Sequence, residues 1–154
     1  MKKKLIGFGI FCLIIGVLFL FDFFRSRLYT IDLVDVSPNP VPADGNTLVT
    51  LKVRLTRGKK PVQNHDLYTV SLDGGVFVVY RSRTNSGGEA VFEYYPYQVS
   101  GTYALRDIRF RIRDESNSVF FEIGAENTFI VKAIAGETKA ASEGGLKLSD
   151  IFGE

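Results

Sequence analysis

The chain has 154 residues, 45% of them hydrophobic and 13% aromatic with no Trp, and a net charge of +2. That leaves room for one domain with appendages, and too little surplus charge to point to nucleic acid. A single cysteine, Cys12, and a single histidine, His65, exclude an internal disulfide and a histidine-built zinc cluster.

Lys2, Lys3 and Lys4 precede an apolar run over residues 5–21, which Asp22 interrupts before Phe23, Phe24, Arg25 and Arg27. As a helix, residues 5–24 span about 30 Å, the hydrocarbon thickness of a bilayer. A helix that is apolar on all sides must be covered, and a domain of this size cannot enclose one. The run ends in Phe21-Asp22-Phe23-Phe24-Arg25, without the small residues that signal-peptide cleavage requires. A retained single-pass transmembrane helix, a signal anchor, is therefore expected. Three lysines against two arginines place residues 1–4 in the cytoplasm and the folded domain outside. Residues 25–30 are expected to be a juxtamembrane linker.

Residues 28–35 alternate imperfectly and predict a first strand. The Ser37-Pro38-Asn39-Pro40-Val41-Pro42 stretch must be an edge, a kink or a loop, because proline lacks the ladder donor. Residues 47–56 alternate cleanly, with Val49, Leu51, Val53 and Leu55 on one apolar face that should meet the core. Further strands are expected near residues 67–72 and 76–80. Thr84 to Leu105 reads as turn, strand, turn, strand: Asn85 to Gly88 supplies hairpin chemistry, and Ala90, Phe92 and Tyr94 share one face. Its last strand should run from Thr102 to Arg113, followed by strands over 119–123 and 128–133. Eight or nine short strands between turns predict an all-β, two-sheet antiparallel sandwich over residues 31–134.

Ala43-Asp44-Gly45-Asn46, the alternating strand after it, Lys60-Pro61-Val62, Thr84-Asn85-Ser86-Gly87-Gly88-Glu89-Ala90 and Ser100-Gly101-Thr102-Tyr103 stand in a telling order. Together they resemble the bacterial immunoglobulin-like domains of the invasin and intimin type, over roughly residues 33–134. The resemblance implies an immunoglobulin-like sandwich that serves as a rigid spacer or binding module. The chain departs from the family in carrying one copy, and in its N-terminal helical anchor where the family often uses an outer-membrane barrel. A single domain close to the bilayer does not reach far, so host-cell adhesion is not carried over.

No converging set of catalytic groups stands out, and no catalytic, cofactor-binding or metal-binding residues are expected. His65, between Asn64 and Asp66, reads as a surface loop residue. Asp32, Asp35, Asp44, Asp66 and Asp73 are scattered near turns, where capping explains them. Arg109, Arg111 and Arg113 share one strand face, which Arg81 and Arg83 extend if their strands are neighbours. This is either a basic stripe for an anionic partner, or a solvated face whose arginines pair with Asp107, Glu93 and Glu122. Tyr94, Tyr95 and Tyr97 around Pro96 offer either an exposed binding patch or, as a sandwich strand must bury some of them, packing, which is the favoured reading.

From residue 135 the composition becomes linker-like, and a flexible tail is expected over 135–154. Leu148, Ile151 and Phe152 there offer either a short docking motif or a frayed end. These readings lead to a non-enzymatic, single-pass protein of the bacterial cytoplasmic membrane, with another cell-envelope protein as partner. The alternatives are a subunit of a secretion or surface-appendage assembly, and a wall-polymer or carbohydrate-binding module. The composition does not favour a small-molecule ligand, and no cofactor is expected.

Overall fold

The computed structural model describes residues 2–101 and 103–136. Helix α1 (Lys2–Ser26) comes first, and its segment Gly7–Ser26 is long and apolar enough to cross a membrane. The rest of the chain leaves that segment almost wholly uncovered. Instead of a linker over residues 25–30, only Arg27 and Leu28 separate α1 from strand β1 (Tyr29–Ser37). Their amides donate to the carbonyls of Phe24 and Arg25, tightening the last turn and using acceptors that a helix end otherwise leaves open.

Two antiparallel sheets follow. The first runs β1, β3 (Val49–Arg57), β8 (Glu89–Tyr95), β6 (Val76–Val79), with β4 (Lys60–Pro61) paired to the end of β3. The second runs β10 (Glu126–Val131), β9 (Ile108–Asp114), β5 (Asp66–Ser71), β7 (Arg81–Arg83). A small parallel pair joins β2 (Val41–Ala43) to β11 (Ala133–Ala135). Lettering the principal strands A to G in chain order (β1, β3, β5, β6, β8, β9, β10), the sheets read A-B-E-D and G-F-C. The sandwich is immunoglobulin-like.

The core follows from the alternation. Val49, Leu51, Val53 and Leu55 on β3 and Ala90, Phe92 and Tyr94 on β8 are buried from one side. Leu67 and Thr69 on β5 and Ile108, Phe110 and Ile112 on β9 are buried from the other. Each large side chain among them contributes roughly 1.5–3 kcal/mol by leaving water. The imperfect pattern of the first strand has a local cause. The β1–β3 register shifts between Leu33 and Asp35, so the bulged Val34 drops out of the alternation and faces solvent.

Three strand expectations are corrected. Tyr103 to Asp107 form no strand, and β9 starts only at Ile108. Residues 119–123 form no strand either; they close a compact loop with Ser118 N–H donating to the Phe121 carbonyl at 2.8 Å. The single strand expected over 76–80 is half of a longer one. Val76–Val79 pairs with β8, then the chain crosses sheets and Arg81–Arg83 pairs with β5. The apolar tail motif at Leu148, Ile151 and Phe152 lies outside the described residues.

Candidate functional site

The compact loop explains itself through α1. Phe19, Asp22, Phe23 and Ser26 recur at three- and four-residue spacing and so share one helix face. The Phe19 ring stacks on Phe120 at 4.4 Å between centroids and meets Phe121 edge-on at 5.9 Å. Phe23 meets Phe121 edge-on at 5.6 Å. Between these rings the Asp22 carboxylate accepts the Ser118 hydroxyl and the amides of Val119 (3.3 Å), Phe120 (2.7 Å) and Phe121 (3.3 Å). Successive amides converging on one anion form a nest, and Asp22 as a residue is only 3% exposed. One turn later, the Ser26 carbonyl accepts the Gly124 amide at 3.4 Å. An acid in an apolar helix is costly unless its lone pairs are used. Asp22 is therefore a joint, holding α1 to the β9–β10 connection. Reading the sequence missed this role, although the lone acid in an apolar run was the available signal.

The five candidate arginines do come onto one face. β5 lies between β9 and β7, and Arg113, Tyr68 and Arg81 stand opposite one another in register. Each of the five guanidiniums has a carboxylate. Arg83 grips Asp66 with two bonds of 2.7 Å, and Arg109 holds Asp73 at 2.9 and 2.8 Å. Arg113 meets Glu122 and Arg81 meets Glu115, both at 2.9 Å, while Arg111 lies 3.5 Å from Glu126. Of the partners expected from sequence, only Glu122 is used; Asp66, Asp73, Glu115 and Glu126 take the other places. Asp73 is the most enclosed of these acids, and its bonds to the Arg109 side chain hold its carboxyl at about 2, below the usual 3.8. Asp66 is lowered too, chiefly by its bonds to Arg83.

His65 is not a loose loop residue. Its Nδ1 lies 2.7 Å from Oδ2 of Asp114, whose side chain is fully buried and also accepts the Ser116 amide at 2.9 Å. The imidazole packs 5.4 Å from the Tyr29 ring. Burial of Asp114 demands a partner, and His65 supplies one, so the pair is structural cement between the β4–β5 connection and β9. Tyr94 and Tyr97 pack as expected, with the Tyr94 hydroxyl donating to the Gly74 carbonyl and Tyr97 to that of Arg106, both at 2.6 Å. Among the described residues, no three His, Cys, Asp or Glu side chains gather as a metal site.

The chain is similar to immunoglobulin-like domains of intimin. The D00-D0 domain of intimin matches 69% of this chain and 48% of its own length, at 14% identity and a TM-score of 0.46. A C-terminal intimin fragment, solved in complex with the intimin-binding domain of the translocated intimin receptor, matches 68% of this chain at 15% identity and a TM-score of 0.48. The chain spans 33% of that fragment, and so less than half the length of either intimin structure. A conjugative transposon lipoprotein from Bacteroides eggerthii is similar over 68% of this chain and 96% of its own, at 10% identity and a TM-score of 0.44. No protein-family model and no curated protein matches the chain.

Proposed function

We propose that this chain is a single-pass protein of the bacterial cytoplasmic membrane, with residues 1–4 inside and the sandwich outside. It works without catalysis, as a short rigid spacer and interaction domain for another cell-envelope protein. The observation that carries the reading is the joint at Asp22. A leader removed after export would take Phe19, Asp22 and Phe23 with it, leaving Phe120 and Phe121 bare and the nest amides without their acceptor. A helix built into the domain in this way belongs to the mature protein, and its uncovered apolar surface calls for lipid.

The interaction role draws on the β6–β7 strand at the sheet edge. Val76, Val78 and Tyr80 are each more than half exposed there, with no charge between residues 76 and 80. Soluble domains normally guard such an edge with charges or a bulge; this one has a register shift at Val78 but no charge, and an uncharged apolar edge is open to a partner strand.

The test is to express the full chain in a bacterial host, extract it from membranes and measure its intact mass. Retention of residues 2–24 is expected, together with digestion of the sandwich by protease added to spheroplasts. A mature chain that starts beyond Asp22 would overturn the anchor.

A further inference from the structure

Ten arginines stand in the sequence, and their partners divide them by place. Arg54 and the six between Arg81 and Arg113 each lie within 4.0 Å of a carboxylate. Among the described residues, Arg25, Arg27 and Arg57 have none at that distance. All three lie at the end of the sandwich where α1 joins it, since Arg57 is the register partner of Tyr29, the first residue of β1. Arg57 has only a 3.4 Å bond to the Tyr29 hydroxyl and a place 5.7 Å from that ring. The Nε of Arg25 is buried and has no acceptor among the described residues. The hairpin after Arg57 adds Lys59 and Lys60, both exposed. Among the described residues, the arginines without a carboxylate are therefore those at the helix end.

Arg25 and Arg57 also share a cleft of about 360 Å³ whose other walls are Phe21, Phe24 and Leu28. We infer that this cleft binds the headgroup phosphate of an anionic phospholipid, held between the two guanidiniums with the upper acyl chain against the Phe21, Phe24 and Leu28 side chains. This rests on the reading of α1 as a membrane anchor. Guanidiniums suit phosphate because two parallel N–H donors match two of its oxygens, and among the described residues the buried Arg25 Nε has no acceptor. The apolar walls decide the source. Phe21 and Phe24 are about two-thirds exposed and continuous with the bare surface of α1, which suits a phosphate attached to an acyl chain and not a hydrated free ion. The Arg109-bearing face does not compete, because its charges are already neutralised by carboxylates.

The experiment uses the full chain in mild detergent and native mass spectrometry, titrating phosphatidylglycerol against phosphatidylcholine of matched acyl chains, with inorganic phosphate in a third arm. Two cationic contacts to one headgroup predict a preference for phosphatidylglycerol on the order of tenfold. The double variant R25Q/R57Q should hold both lipids alike while melting at the same temperature as the parent. R54Q, which removes an arginine already paired with Glu89, should keep the preference. Equal retention of the two lipids by the parent, or an unchanged preference in R25Q/R57Q, would overturn the site. Displacement of phosphatidylglycerol by millimolar inorganic phosphate would assign the cleft to free phosphate and overturn the lipid. The titration uses only chain whose intact mass shows residues 2–24 retained, so failure of the anchor reading shows in that mass and failure of the cleft shows in the lipid preference.

Discussion

Oδ2 of Asp22 accepts a 2.7 Å hydrogen bond from the backbone amide of Phe120, tying a residue of the apolar helix to one 98 positions later. This bond and its three companions make the helix and the sandwich one mechanical piece. Asp22→Ala should free the loop without unfolding the sheets. Hydrogen exchange should then speed up at the amides of Val119, Phe120 and Phe121 while β3 and β9 stay protected. Asp22→Asn keeps one acceptor oxygen and should fall between the two. Equal protection in all three proteins would show that the rings alone make the joint.

Phe92 is fully buried at the centre of the first sheet, and its neighbour Val91 points outward. Phe92→Ala should cost about 3–5 kcal/mol through lost burial and the cavity left behind. Val91→Ala should stay within about 0.5 kcal/mol, as surface changes do. Denaturant unfolding of the two variants checks the alternation directly.

Gly88 sits at a φ of +72°, and a Cβ added there would lie 2.6 Å from the Leu55 carbonyl oxygen. Gly88 also uses its own carbonyl to accept the Leu55 amide at 2.8 Å, so the two strands cannot separate to make space. Gly88→Ala should therefore cost more than the roughly 1–2 kcal/mol of a left-handed side chain alone. Gly58 is also left-handed, at +54°, but has open space, so Gly58→Ala should show only the smaller effect. Comparing their unfolding midpoints separates clash from strain.

The Asp73 carboxyl titrates at about 2 in the folded chain and near 3.8 when unpaired. The unfolded form binds the proton more readily, so this pair's stabilisation is complete above 3.8 and is lost as pH falls from there towards 2. In Asp73→Asn the acid limb of the stability curve should flatten over that window. Because Arg109 is half exposed, added salt should weaken the parent's dependence. Melting temperature against pH, at two ionic strengths, measures both.

Val78 is the residue skipped where the β6–β8 register shifts, and it is half exposed. Val78→Lys should leave stability within about 0.5 kcal/mol and place a charge of the kind that guards sheet edges. If the edge receives a partner strand, a photo-crosslinker at Val76 should capture a cell-envelope protein in the parent and lose it in the lysine variant. Capture that is indifferent to the lysine would move the interaction elsewhere.

The legible parts of the sequence were those whose pattern is local. The faces of β3 and β8 could be assigned because every second side chain meets the same core, and the turn from Asn85 to Gly88 marks where β8 starts. The Val119-Phe120-Phe121 run was misread because an apolar triplet looks the same whether it packs into a sheet or onto a helix. Its rings face Phe19 and its amides face Asp22, and neither partner is close in sequence. Asp22 itself looked like a flaw in a hydrophobic segment. His65 looked exposed because its neighbours are polar, while its actual partner, Asp114, lies 49 residues away. The arginine face could be read from its period of two, but not its acids, four of which reach it from other strands and loops.

The course of the strands sets a distance. Tyr29 opens β1 beside the helix, Ser37 closes it at the opposite end, and β11 delivers the chain to Gly136 beside Asp44, remote from α1. A nine-residue strand at about 3.3 Å per residue is roughly 30 Å long. The Asp22 joint and Gly136 therefore stand about the length of β1 apart, so a load applied at one has to pass through the whole β1–β3 ladder to reach the other.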